Sequence, residues 1–448
     1  SLMKKLYSNP ANVSLAATGI FAALTGISQA ELDAIVRKEY RSNTEENLRF
    51  AIAIYDLCIS QKHEFALKLN YAKGAIGTFH SGNQLIALGA LAQGLTHYFS
   101  YPMTPASSIL HYLALKKESH KVYAVHAESE LAAANMAIGA AFAGARTAVG
   151  SSGGGFALMQ EAFSFAGMAE APLLCFLSSR PGPATGVSTY TAQEDLFFAL
   201  NQGHGIFPRI VASPDSFDRA YSLSAELMEL AWEYQSPAIL LTEKHLSECS
   251  ANIDLTSVAL PEPFEQPSES EAVYKRYAIT ESGISPLRFP GKGNCSPDDV
   301  IKWSSHEHLE TGVRTDEPDA MIAMKDKRLC KGQSLIEGTK KYQRVAFYGT
   351  EGPLVFAYGS TALELRELMK YYPLRLVVPI YLEPFPYDEL AWYRGQEAIV
   401  VEHAAQPHFA EFLRQKLGII SRGNILRYDG RSWDTFELLN AIEELQDA

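Results

Sequence analysis

The sequence predicts an α/β protein: a parallel sheet covered by helices, then a second and smaller α/β unit, with a short helical segment in front. Three observations carry this prediction. From about residue 75, short apolar runs alternate with helical periodicity, and the runs are nearly continuous, as strands buried on both faces are. Residues 3–70 carry no strand signal. At 448 residues, 47% hydrophobic and 20% charged, the chain can bury more than one large core.

Taken in order, the segment 3–70 opens with a small, apolar stretch at 12–24. An amphipathic stretch follows at 29–40, and a third at 44–58 begins with Thr-Glu-Glu-Asn, acidic residues that suit a helix N-terminus. Within 75–251, strands are expected at 97–101, 121–126, 146–150, 173–178, 209–212 and 238–242. Helices are expected between them at 82–94, 128–142, 156–169 and 216–234. Residues 252–345 turn irregular, first Pro/Glu/Ser-rich and later Lys-rich at 325–332, and read as a long connection over the surface. The unit 346–448 should hold strands at 354–358, 375–382, 398–402 and 425–428, with helices at 362–371 and 408–416.

Charge and cysteine usage exclude several classes. Lys+Arg 39 against Asp+Glu 51 gives a net charge of -12 without any Lys/Arg-rich run, which argues against nucleic acid as a partner. The cysteines at 58, 175, 249, 295 and 330 form no C-x-x-C pair, so a locally built cysteine-ligated iron–sulfur cluster or zinc ribbon is excluded. Their odd, scattered placing reads as reduced thiols of a cytoplasmic protein. No apolar run reaches the ~18–20 residues of a membrane span.

The candidates for chemistry sit at expected strand ends, where open α/β sheets place ligands. Tyr101-Pro102-Met103-Thr104-Pro105 is an extended turn held by its two prolines, either a plain turn or one that presents Thr104. His126-Ala127-Glu128-Ser129-Glu130 leads into a helix. Glu128 suits an N-terminal position, whereas Glu130 precedes LAAANMAIGAAFAGA, a helix so small-sided that it must pack closely. A poorly solvated carboxylate there would be suited to proton exchange. Ser151-Ser152-Gly153-Gly154-Gly155 could offer N–H groups to an anion or be a tight crossover turn. Arg180 could grip a carboxylate bidentately or pair with a neighbouring acid. Ser360 or Thr361 should cap a helix. HEHLETG at 306–312 is not the H-E-x-x-H zinc pattern and reads as a surface loop.

In this order the motifs resemble the α subunit of the 2-oxoacid:ferredoxin (acceptor) oxidoreductases, thiamine-diphosphate enzymes of the 2-oxoglutarate type. The resemblance covers roughly residues 75–440: GNQLIALGALAQG, YPMTPAS, AESELAAANMAIGAAFAGAR, SSGGGFALMQEAFSFAGMAEAPL, SRPGPATG, QEDLFFALNQGHGIFPRIV, ITESGISP, HEHLETG, FAYGST and EPFP. Residues 9–58 resemble the end of the family's γ domain. The resemblance implies that 75–251 is a pyrimidine-binding domain and 346–448 a transketolase C-terminal-like domain. It implies that Glu130 hydrogen-bonds N1′ of the aminopyrimidine and promotes loss of the thiazolium C2 proton. It implies that Thr104 bonds the 2-oxoacid, that Arg180 holds its carboxylate, and that Tyr101, Pro102, Ser152 and Gly153 lie against the cofactor.

Two departures bear on the substrate rather than the reaction type: Ala106-Ser107-Ser108 replaces the family's Ser-Ser-Glu, and Gly153-Gly154-Gly155 replaces its Gly-Pro-Gly. No GDG segment is present, so magnesium and pyrophosphate would be held by a β subunit that also carries an iron–sulfur cluster. Thiamine diphosphate would then be shared between the subunits, with a 2-oxoacid, coenzyme A and ferredoxin or a similar acceptor as reactants. The competing expectations are a non-oxidative thiamine-dependent decarboxylase, an aryl-pyruvate oxidoreductase, and a non-catalytic scaffold subunit.

Overall fold

The computed structural model describes residues 13–61, 77–264, 274–291 and 299–447. The ends of the expected helical segment, 3–12 and 62–70, and Cys295 lie outside these residues. The chain divides into two compact units, residues 1–76 and 77–448. In the first, the described residues form three helices, Val13–Thr25, Gln29–Glu39 and Thr44–Ser60. Ser28 starts the second through a capping box with Glu31. Leu15, Leu32, Val36, Phe50 and Ala51 close a small core. Gly19 lets the first helix meet the third, since a Cβ there would lie 2.7 Å from the Ala51 carbonyl oxygen.

The second unit holds two larger sheets and a two-stranded ribbon. The ribbon pairs β1 (Thr78–Ser81) with β8 (Ser250–Ile253) antiparallel. The seven-stranded sheet contains β2 (His97–Ser100), β3 (Tyr123–His126), β4 (Thr147–Ser151), β5 (Leu173–Ser179), β6 (Ile210–Ala212), β7 (Pro237–Glu243) and β12 (Tyr381–Glu383). Their order is β12-β6-β7-β5-β4-β2-β3, parallel throughout except for β12. Every residue of β4, β5 and β7 is buried, which explains their unbroken apolar runs.

The five-stranded sheet contains β9 (Val345–Tyr348), β10 (Leu354–Phe356), β11 (Arg375–Pro379), β13 (Glu397–Glu402) and β14 (Ile420–Leu426). Its order is β14-β13-β10-β11-β9, with only β9 antiparallel. The two sheets are joined by hydrogen bonds at the C-terminal end of β7. There the buried Glu243 carboxylate accepts the Ser360 N–H, and Gln193 bonds the Tyr358 carbonyl and the Thr361 hydroxyl. Ser360 does precede the helix Thr361–Leu368, yet its hydroxyl makes no capping bond. Glu243 instead accepts the N–H of Ser360 itself from across the seam.

Two expectations are corrected. The strand expected at 375–382 is two strands in different sheets: β11 ends at Pro379, which has no N–H to continue a ladder, and β12 crosses to β6. The expected surface connection contains the helix Pro318–Thr339, and the Lys-rich stretch is its inward face. Met324, Lys327, Arg328, Lys331 and Leu335 are buried at helical spacing, so the periodicity is carried by cations and escapes an apolar count. Lys327 and Lys331 reach Glu170 at 2.7 and 2.9 Å, all three side chains essentially inaccessible. Burial alone would raise the Glu170 carboxyl, but Lys331, Lys327 and Arg276 hold it far below the usual carboxylate range.

HEHLETG is a loop with His306 and Leu309 exposed, as expected, but it is anchored inward. His308 is fully buried against the Tyr277 ring at 3.7 Å, and Glu307 forms a bidentate pair with Arg328. No group of three possible metal ligands occurs among the described residues.

Glu170→Gln keeps the side-chain shape but strands two buried ammonium groups. It should cost about 3–5 kcal/mol of stability, read as a large fall in thermal midpoint; an unchanged midpoint would show that the cluster holds nothing together.

Candidate active site

The strand order fixes where a ligand belongs. From β2 the chain moves outward to β3, and from β4 it moves the other way to β5, so the sheet changes direction between the adjacent strands β2 and β4. A crevice opens beyond the C-terminal ends of two such strands. The helix Glu130–Phe142 returns across β2 and β4, so its first residue comes down at this crevice. Ser129 caps the helix by accepting the Ala132 N–H at 3.2 Å. Ser100, the last residue of β2, donates to the Gly150 carbonyl at 2.8 Å and ties the two strand ends together.

Glu130 is 3% exposed. One carboxylate oxygen lies 3.5 Å from the Ser151 hydroxyl; the other has no hydrogen-bond partner among the described residues. Its floor is Gly155, where an added Cβ would run into both the Glu130 carboxylate and Ser151. The third glycine of the SSGGG turn is therefore a space requirement. The first, Gly153, serves a different neighbour: a Cβ there would come within 2.6 Å of an Asp195 carboxylate oxygen. Ser152 is fully buried, and its hydroxyl has no partner although it occupies the N-cap of the helix Gly153–Leu158.

Arg180 follows β5 and is 9% exposed. It donates to the Thr104 carbonyl at 2.6 Å. Among the described residues it forms no ion pair, although its charge is felt by the neighbouring Asp195 carboxyl. Asp195 itself accepts from Ser179 at 2.8 Å. Burial raises the Asp195 carboxyl, a shift opposed by the Ser179 hydrogen bond.

Thr104 is half-buried, with Tyr101, 41% exposed, and Pro102 leading to it. Met103 closes the circuit, its sulfur 3.9 Å from the Ser151 hydroxyl. All seven residues expected from the sequence, Tyr101, Pro102, Thr104, Glu130, Ser152, Gly153 and Arg180, thus lie on the loops and helix starts beyond β2, β3, β4 and β5.

Sequence reasoning missed Met103, Ser151, Gly155 and Asp195. Gly155 had a signal in the third consecutive glycine, whereas Asp195 reaches the site only through the fold. The donor set fits an aminopyrimidine cofactor: a buried carboxylate with a free oxygen, an orphaned buried hydroxyl at Ser152, and a glycine floor. A cavity of about 870 Å³ between the helices Gln160–Ala169 and Pro318–Thr339 contains none of these residues. Its arginines are already committed, Arg209 to the Leu200 and Gln202 carbonyls and Arg328 to Glu307.

Gly155→Ala should weaken thiamine diphosphate binding by roughly ten- to a hundredfold, matching about 1–3 kcal/mol of overpacking. The control is Gly332→Ala, whose new methyl would meet only Pro208 at 3.7 Å. Fluorescence titration of the assembled complex checks this, and equal affinities in the two variants would contradict the packing argument.

Residues 88–317 match the family model for pyruvate flavodoxin/ferredoxin oxidoreductase, thiamine-diphosphate-binding. The chain is 31% identical over 383 residues to the α subunit of 2-oxoacid:ferredoxin oxidoreductase 1 from Sulfurisphaera tokodaii, covering 81% of this chain and 60% of that subunit. It thus spans about 60% of the length of the curated relatives it matches first. It is 27% identical to 2-oxoglutarate synthase subunit KorA from Methanothermobacter thermautotrophicus, covering 81% of this chain and 97% of that subunit. Among solved structures it resembles 2-oxoglutarate:ferredoxin oxidoreductase from Magnetococcus marinus with 2-oxoglutarate, coenzyme A and succinyl-CoA bound. That similarity has a TM-score of 0.86 and 27% identity, covering 99% of this chain and 79% of that one. With a family model covering half its length and a crevice whose residues fit the cofactor, this chain belongs to the thiamine-diphosphate-binding pyruvate flavodoxin/ferredoxin oxidoreductase family.

Proposed function

We propose that this chain is the α subunit of a 2-oxoacid:ferredoxin oxidoreductase. The complex would convert a 2-oxoacid and coenzyme A to acyl-CoA and carbon dioxide while reducing ferredoxin or a similar acceptor. The observation that carries the reading is Arg180, a buried guanidinium that forms no ion pair among the described residues and is fixed against the loop that presents Thr104. A buried cation of this kind is costly unless an anion arrives to meet it. A substrate carboxylate suits it in charge and in fork geometry. The reading of 2-oxoglutarate as substrate rests on the relatives named for that acid and on the Magnetococcus marinus structure that binds it.

In this account Arg180 binds and orients the carboxylate, and Thr104 donates to the oxo end. Glu130 exchanges a proton with N1′ of the aminopyrimidine, while Gly155 and the alanine-rich helix exclude water around it. Thiamine diphosphate, when bound, supplies the carbanion chemistry at the 2-oxo carbon. Ser152, Gly153, Tyr101 and Pro102 line its pyrimidine end.

A β subunit bringing the pyrophosphate site, magnesium and an iron–sulfur cluster completes the enzyme. The outer face of the helix beginning at Glu130 supports such a partner. Leu131 is 56% and Met136 45% exposed, and a Cβ on Gly139 would meet nothing within 4 Å. An apolar, close-packing surface beside the cofactor carboxylate is what a second subunit would cover. Among the described residues no helix is long and apolar enough to cross a membrane, and we infer a cytoplasmic enzyme.

The test is coenzyme A-dependent dye reduction by the anaerobically purified complex across a panel of 2-oxoacids. Turnover on one acid, with kcat/KM reduced about 10- to 150-fold in Arg180→Gln, is expected from losing a charge-assisted hydrogen bond of about 1.5–3 kcal/mol. An assembled, thiamine-loaded complex that turns over no 2-oxoacid would overturn the reading.

A further inference from the structure

The segment from Arg180 to Asp195 joins the end of β5 to the helix Leu196–Leu200, and both of its ends stand at the crevice. Arg180 is at one end. At the other, Asp195 accepts from the Ser179 hydroxyl at 2.8 Å and lies against Gly153. A second bond closes the same base, from the Gly182 N–H to Oε2 of Glu194 at 2.9 Å. Between the ends, residues 182–187 and 189–190 are exposed, so the loop takes little of its placing from packing along that stretch.

Its fixed point is the buried run Thr191–Gln193. The Thr191 N–H donates to the Gly430 carbonyl at 3.0 Å and the Gln193 N–H to the His403 carbonyl at 2.6 Å. The Gln193 carbonyl accepts the Tyr358 hydroxyl at 3.1 Å. The Gln193 side chain is satisfied in full. Nε2 donates to the Tyr358 carbonyl at 2.9 Å and to Glu243 at 3.3 Å, while Oε1 accepts the Thr361 hydroxyl at 2.8 Å and the His403 N–H at 3.0 Å. Only an amide, with two donors and two acceptor sites, can make this set.

Tyr358, Thr361 and His403 follow β10 and β13 of the five-stranded sheet, whereas Arg180 and Gly153 belong to the seven-stranded one. A bond that served stability alone could sit anywhere along the seam. This one is made two residues before Asp195. It therefore ties the second sheet to Asp195 through the main chain, and to Arg180 through the bond between Asp195 and Ser179.

We propose that Gln193 is a positioning residue for the substrate: it sets the place of Arg180 through Asp195 and Ser179, so that the second sheet decides where the 2-oxoacid carboxylate is held. The inference rests on the reading of Arg180 as the group that binds that carboxylate. The Gln193 amide, fully engaged at the seam, acts only through the loop.

The test is steady-state kinetics of the assembled complex carrying Gln193→Met, which keeps the length of the side chain and loses its hydrogen bonds. KM for the 2-oxoacid should rise about ten- to a hundredfold, the upper figure being what a misplacement of about 1 Å can cost. With ground-state binding lost, kcat should stay within about twofold. Exchange of the thiazolium C2 proton of the bound cofactor does not pass through Arg180 and should be equal in variant and wild type. Tyr358→Phe removes only the hydroxyl bond to the Gln193 carbonyl and carries the test if the Gln193→Met chain does not fold; it should raise KM about two- to tenfold. Tyr342→Phe loses a hydroxyl bond to Glu229, away from the loop, and should leave KM unchanged. A clamp with a structural role alone would lower the thermal midpoint and leave KM where it was. Unchanged KM in an active Tyr358→Phe complex, an equal rise in Tyr342→Phe, or C2 exchange slowed as far as KM rises would overturn the proposal. A wild-type complex that turns over no 2-oxoacid would overturn the reading of Arg180 first, and this inference with it.

Discussion

The placing of Glu130 at the mouth of a helix with almost no side-chain bulk is the constraint on which the site depends. A carboxylate 3% exposed has to be given close contacts, and here they come from the glycine turn after β4. That turn can approach only because Gly155 has no Cβ. The turn is in place because Ser100 fastens the ends of β2 and β4, and the helix descends there because the sheet reverses direction between those strands. One buried acid therefore links the topology, the alanine-rich helix and the triple glycine.

Two buried charge sites illustrate how the same physics yields structure in one place and a site in another. Glu170 is met by Lys327 and Lys331, and the helix Pro318–Thr339 is docked by that contact. Arg180, 9% exposed, bonds a carbonyl and forms no ion pair among the described residues. Desolvation penalises both charges. In the first case protein groups compensate it within the chain, and in the second the compensation is left for a ligand. The 870 Å³ cavity, though roomy, holds none of the residues gathered at the crevice, and its Arg328 is already paired with Glu307.

The sequence was legible where local chemistry and periodicity agree. The runs at β4, β5 and β7 are apolar because both faces are covered, and the residues at their ends could be singled out from that alone. It was silent where a residue's role depends on a distant partner. Lys327 and Lys331 look like surface lysines until Glu170, far away in the sequence, is brought against them. Pro379 divides what reads as one strand, and only the fold shows that its second half serves the other sheet. Ser360 looks like a helix cap by type, yet its hydroxyl caps nothing and its own N–H is held by the distant Glu243. At the site, Arg180 had two readings of equal standing from sequence, and what favours the ligand reading, the lack of an ion pair among the described residues, is visible only in the fold.

The central claim is that Glu130 exchanges the proton that activates the cofactor. The most direct measurement is exchange of the thiazolium C2 proton of bound thiamine diphosphate for deuterium, followed by NMR in the assembled complex and its Glu130→Gln counterpart. The account predicts exchange slowed by about 10²–10⁴-fold in the variant, the usual range for losing a positioned acid–base group. Equal exchange rates in the two complexes, with the cofactor bound in both, would contradict it.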